Sequence, residues 1–171
     1  MIPIALNNKS GHFCLAIRAK MSYPYITMDF TYPAKIEQDE EGYFLVTFRD
    51  LPYGSTDGKT IDEAKIQAAD CLEEVIAGCI SYKQDVPVPS PLKNGEYLIR
   101  LPAQMAAKAA LYIAVQKSDI RRSALARQLN LDEKEIRRML NPKHATKLPR
   151  IEAALHALGY SLCVSMLEPA A

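Results

Sequence analysis

The sequence predicts an α+β protein in two parts, a β-β-β-α-β unit followed by an all-α helix-turn-helix region. Three observations carry this. Residues 30–37 and 43–48 are short runs of aromatic and β-branched residues either side of a polar turn, the pattern of a hairpin. From Pro102 to Tyr160 the apolar spacing is helical throughout. The charge also changes sign near Pro102. Residues 21–101 hold seven Lys and Arg against fourteen Asp and Glu, a net of −7, while residues 102–171 hold eleven against six, a net of +5. The overall charge of +1 hides this division, which points to a different partner for each part.

The elements follow in order. FTYPAKIE (30–37) is the first strand, and Pro33 marks it as an edge strand or one that opens on a bulge. QDEEG turns the chain at Gly42 into YFLVTF (43–48), the second strand. RDLPYGSTDGK (49–59), with one proline and two glycines, is a loop with room for one short third strand. Thr60-Ile61-Asp62-Glu63 is a capping box, in which the Thr60 hydroxyl accepts from the Glu63 N–H and Glu63 reaches back to the Thr60 N–H. The helix it opens places Ala64, Ala68, Cys71, Leu72, Val75, Ile76 and Cys79 on one face and Lys65, Gln67, Asp70, Glu73 and Glu74 on the other. DVPVPSPLKN (85–94), with three prolines, is a stiff connector, and EYLIRL (96–101) is a fourth strand. Pro102 suits the first position of the next helix, whose AQMAAKAALYIAVQKSD is rich in strong helix formers. LCVSML (162–167) reads as a final strand or helix end that could pair across a dimer. Residues 1–27 are an N-terminal extension with no compact-domain pattern, and Met21 and Met28 are alternative starts.

Cys14, Cys71, Cys79 and Cys163 form no C-x-x-C pair and none lies beside a histidine at ligand spacing. All four read as reduced and structural, which suits a cytoplasmic protein. No apolar run reaches membrane-spanning length, and the N-terminal charges follow the apolar patch, unlike a signal peptide. No phosphate-binding loop, nucleophile elbow or zinc-protease motif is present. The expectation is a non-enzyme without metal or cofactor. A reduced nuclease-like fold with scattered acids is the third reading.

The informative stretch is ALARQLNLDEKEIRRML (124–140). Ala126 takes the tight position of a first helix, with Leu125 and Leu129 facing the core. Asn130 falls in the turn, where positive φ is wanted and Asn tolerates it better than most residues. Leu131 plugs the turn, Asp132 caps the second helix, and Ile136 and Met139 return to the core. Lys134, Glu135, Arg137 and Arg138 then point outward, as base- and phosphate-reading residues of a recognition helix do. Lys143, His144, Thr146, Lys147 and Arg150 form a basic, hydroxyl-bearing loop suited to backbone phosphate, and Arg121, Arg122 and Arg127 add charge along the first helix. A plain helical hairpin with a basic solvated face is the competing reading.

Taken together, GYFLVTFRDLPY, GKTIDEAKIQAADCLEEVI, DVPVPSPLKNGEYLIRLP and LARQLNLDEKEIRRMLNPKHATKLPRIEAALHALGYSLCVSM resemble the HicB antitoxin family, in order and at suitable spacing from about Met28 to Met166. The resemblance implies a partial RNase H-like domain over residues 28–101 that has lost catalysis and binds a HicA-type mRNA-cleaving toxin. It implies a DNA-binding and dimerisation domain over residues 102–171 that represses its own operon, and a homodimer or higher homo-oligomer. The acidic surface suits steering of a basic toxin. Tyr43, Asp50, Leu51, Pro52 and Tyr53 are the candidate toxin contacts by position. Arg122, Lys134, Glu135, Arg137, Arg138, Lys143, His144, Thr146 and Lys147 are the candidate DNA contacts. The alternative is a free-standing regulator whose N-terminal domain binds a ligand or another protein.

Overall fold

The computed structural model describes residues 27–166, so the N-terminal extension up to Tyr25 and Ile26, Cys14 and the last five residues lie outside it. Among the described residues there are four strands and five helices. In chain order they are β1 (Thr31–Gln38), β2 (Phe44–Phe48), β3 (Ser55–Gly58), α1 (Ile61–Ser81), β4 (Glu96–Arg100), α2 (Ala103–Lys117), α3 (Arg122–Gln128), α4 (Glu133–Leu140) and α5 (Leu148–Ala157). The protein is thus mixed α+β. The strands form one antiparallel sheet in the order β3-β2-β1-β4.

The expected hairpin is β1–β2, and the loop after it does hold a short third strand, paired on β2 with Thr47 opposite Ser55. The expectation for Pro33 needs correction. β1 is an interior strand, but a staggered one: β4 pairs with Thr31 to Lys35, and β2 pairs only from Ala34 onward. Pro33 therefore sits one residue before the β2 pairing begins, where a strand tolerates a missing N–H. β3 approaches α1 so closely that a Cβ on Gly58 would lie 2.5 Å from the Ala64 backbone nitrogen, so only glycine fits there.

Thr60 caps α1 as expected, its hydroxyl accepting from the Glu63 N–H at 3.1 Å. The Glu63 carboxylate, however, accepts from the Lys59 N–H at 2.9 Å rather than from that of Thr60. The box is thus shifted by one residue on its return side, and both bonds still cover N–H groups at the helix start. Ala64, Ala68, Leu72 and Ile76 of α1 pack on Tyr32, Ala34, Val46, Phe48 and Ile99 of the sheet. Cys71 and Cys79 lie half-buried beside them, and burial pushes both thiols up, which keeps them protonated and unreactive. Cys163 is exposed, against the expectation of a structural role.

The proline-rich connector is pinned along its length. Tyr32 donates to the Pro87 carbonyl at 2.8 Å, Arg49 donates to the Ser90 hydroxyl and the Pro91 carbonyl, and the Ser90 N–H donates to Asp50. Pro102 is the residue just before α2, one place earlier than expected, and makes no side-chain capping bond. Met105, Ala109 and Tyr112 of α2 join the sheet core, whereas Ala107, Leu111 and Ala114 join a second core with Leu125, Ile136, Met139, Ile151 and Leu155. One helix therefore serves both cores. Residues 162–166 adopt no strand or helix, although Leu162 packs against the second core.

Candidate nucleic-acid interface

Helices α3 and α4 are joined by residues 129–132. Asn130 has φ 54°, the left-handed conformation expected of it. The Leu131 N–H donates to the Ala126 carbonyl at 2.9 Å and the Asn130 N–H to the Arg127 carbonyl at 3.1 Å. This pair of bonds is a Schellman C-cap, and it covers carbonyls that α3 would otherwise leave open. Asp132 then caps α4, its carboxylate accepting from the Glu135 N–H at 2.7 Å. Leu125, Ala126, Ile136 and Met139 are buried between the two helices and α5. α3 runs from Arg122 to Gln128, and Arg121 precedes it without a side-chain cap.

The segment after α4 is held from beneath. Lys108, only 3 % exposed, sends its ammonium to the Asn141 carbonyl at 2.7 Å, the Met139 carbonyl at 3.3 Å and the Thr146 hydroxyl at 3.4 Å. Gln104 donates to the Thr146 carbonyl at 2.7 Å. Burial pulls the Lys108 ammonium below the usual lysine range. Two residues of α2 thus fix the end of α4 and the loop that follows it. A single charge within the apolar run AQMAAKAALYIA was the signal that could have revealed Lys108.

The basic candidates separate into two groups. Arg138 donates to Glu135 at 2.8 Å, and Arg150 donates to the other oxygen of the same carboxylate. The Arg138 hydrogen bond first, and that of Arg150 second, hold the Glu135 carboxyl below the usual carboxylate range. With Thr146 and Lys147 these residues line a cleft of about 230 Å³. Arg122 and Arg137 make no ion pair among the described residues and line a separate cleft of about 290 Å³ on the other side of α4. Lys134, Lys143, His144 and Lys147 are exposed, whereas Thr146 is 7 % exposed and presents no side chain to a partner.

Of the five candidate toxin contacts, the structure leaves two at the surface. Tyr53 is 95 % exposed and Pro52 is exposed beside it. Leu51 belongs to the sheet core, Asp50 holds the connector through Ser90, and Tyr43 is half-buried at the hairpin. Among the described residues no cluster of His, Cys, Asp and Glu could hold a metal ion, and no helix is long and apolar enough to cross a membrane.

Residues 31–110 match a family described as the HicB-like antitoxin of bacterial toxin-antitoxin systems. The chain is 34% identical over 136 residues to Antitoxin HicB of Escherichia coli strain K12, covering 80% of this chain and 99% of that protein. It is 34% identical over 137 residues to Antitoxin HicB 2 of Photorhabdus laumondii, covering 80% and 96%. It is 25% identical over 138 residues to Antitoxin HicB of Pseudomonas fluorescens, covering 80% and 94%. The capped α1 and the pinned connector fall within residues 31–110, and with relatives of this identity over most of its length the chain belongs to the HicB antitoxin family.

Proposed function

We propose that this antitoxin binds and neutralises a HicA-type mRNA-cleaving toxin and represses its own operon by binding promoter DNA. Residues 28–101, a partial RNase H-like fold, hold the toxin, with Pro52 and Tyr53 as the surface contacts from the loop before β3. Residues 102–171 hold DNA through a helix-turn-helix in which α4 is the recognition helix, and the protein works in the cytoplasm as a homodimer or higher homo-oligomer. The observation that supports this most is the α3–α4 pair: a left-handed Asn130 in a capped turn, a buried apolar seam, and Lys134, Arg137 and Arg138 directed outward. The −7 charge of residues 21–101 favours a basic partner for the sheet unit and the +5 of residues 102–171 favours a polyanion for the helices.

The test is co-expression. The short reading frame beside this gene is induced with and without the protein, and a duplex from upstream of the pair is titrated with the purified chain. The expected result is growth arrest relieved by this protein, together with binding of that duplex over mixed-sequence DNA. An arrest that this protein leaves unchanged would remove the neutralising role, and equal affinity for both duplexes would remove the repressor role.

A further inference from the structure

The cleft beside Arg122 and Arg137 carries a third cation that does not come from the helix pair. Lys83 follows α1, yet it lines the same cleft, with Ser81, Tyr112 and Asn141 as polar neighbours. No carboxylate lines it. Lys83, Arg122 and Arg137 make no ion pair among the described residues. Burial and then a nearby Asp85 push the Tyr112 hydroxyl up, while Arg122 acts on it in the opposite sense.

The backbone at Lys83 is unusual for its residue type. It sits at φ 58°, one of two non-glycine residues with positive φ among those described. Its N–H donates to the Ile80 carbonyl and the Gln84 N–H to the Cys79 carbonyl, the same Schellman cap that ends α5 at Gly159. Glycine takes this position without strain, and lysine does not. A strained lysine where glycine would be stabler, lining a cleft with two arginines that make no ion pair, points to a use for its charge.

We propose that Lys83, Arg122 and Arg137 form a phosphate-binding site bridging the end of α1 and the α3–α4 pair, so that the sheet unit itself touches the phosphodiester backbone of bound DNA. This rests on the DNA-binding reading above and extends it to a residue outside the helical region. Three cationic residues lining one cleft without a carboxylate suit a phosphate, and the source is either a DNA phosphodiester or a free phosphate-bearing small molecule.

The test uses the full chain and the variant Lys83→Gly, which removes the charge and the backbone strain together. Lys59→Asn, at the opposite end of the 21-residue α1, makes the same change in net charge roughly 30 Å away. Binding of the upstream duplex is measured by fluorescence anisotropy from 50 to 300 mM salt, and binding of inorganic phosphate by NMR at constant ionic strength. The expectation for Lys83→Gly is an unchanged or higher Tm. Its DNA affinity should be about tenfold weaker at 0.1 M salt, and its salt slope about one unit shallower per protomer. Lys59→Asn should match the parent. Saturable phosphate binding lost in Lys83→Gly, with DNA affinity unchanged, would keep the site and assign it to a small molecule. Unchanged binding of both by Lys83→Gly would overturn the proposal while leaving the repressor reading intact. If the parent binds no DNA, the repressor reading falls and the phosphate arm alone decides the site.

Discussion

At the scale of single residues, Arg137 and Arg138 are neighbours in sequence and opposites in circumstance. Arg138 already shares the Glu135 carboxylate with Arg150, whereas Arg137 faces a cleft without an acid. Arg137→Ala should therefore weaken DNA binding by about 1–3 kcal/mol, and Arg138→Ala by clearly less. Glu135→Gln should raise affinity for mixed-sequence DNA by releasing two guanidinium groups. Anisotropy titrations on specific and mixed duplexes check both, and equal losses for the two arginine variants would refute the division. Sequence alone makes the two arginines equivalent, because each has an acid one turn back, Glu133 for Arg137 and Glu135 for Arg138, and only the structure shows that Glu135 is the one engaged. Lys108 gives a second prediction. Lys108→Met strips the donor from two carbonyls and a hydroxyl and should cost about 1–3 kcal/mol in urea denaturation. Its ammonium titrates lower in the folded chain than in the unfolded one. The unfolded state thus binds the extra proton between those two values, and stability from this group rises with pH through that window. The gap between parent and Lys108→Met should widen as pH rises toward the usual lysine range. A gap that narrows would mean the folded ammonium is not destabilised.

Elements were legible where local chemistry decides them and less so where neighbours do. The Thr60 cap, the hairpin and the left-handed turn at Asn130 each depend on residues within a few positions, and each is present in the structure. The place of β1 in the sheet was not legible. Pro33 signals an edge, and over the first three residues of β1 the β2 side is indeed unpaired, but β4 arrives from more than sixty residues later to occupy the other side. The same reason hid Asp50 and Leu51, which look like loop residues until the connector and the core are folded around them. The α3–α4 turn allows a direct test. Asn130→Gly removes the Cβ cost of φ 54° and should stabilise by about 0.5–1 kcal/mol, read as a higher urea midpoint at unchanged m-value. Asn130→Val places a β-branched residue in the same conformation and should lose more than that. Should Asn130→Gly prove destabilising, the asparagine side chain must hold the turn by contacts beyond its backbone geometry.

At the scale of the whole molecule, the charge division near Pro102 was visible from composition, but the packing does not divide there. α2 lies on the basic side of that line and contributes Met105, Ala109 and Tyr112 to the sheet core, where Tyr112 also donates to the Gln84 carbonyl at 3.0 Å. Its opposite face carries Ala107, Leu111 and Ala114 of the second core. Helical periodicity reports that α2 is apolar on more than one side, but not which neighbour each side meets. A fragment ending at Leu101 would expose the part of the sheet core that α2 covers, and burying two large side chains there is worth roughly 3–6 kcal/mol. A fragment ending at Lys117 keeps those contacts and exposes the smaller face of Ala107, Leu111 and Ala114. The fragment of residues 27–117 should therefore unfold at a higher urea concentration than that of residues 27–101, and should retain toxin neutralisation in co-expression where the shorter one loses it through instability. Equal midpoints for the two fragments would show that the sheet and α1 fold independently of α2, and that the packing of Met105 and Tyr112 follows folding of the sheet unit rather than supporting it.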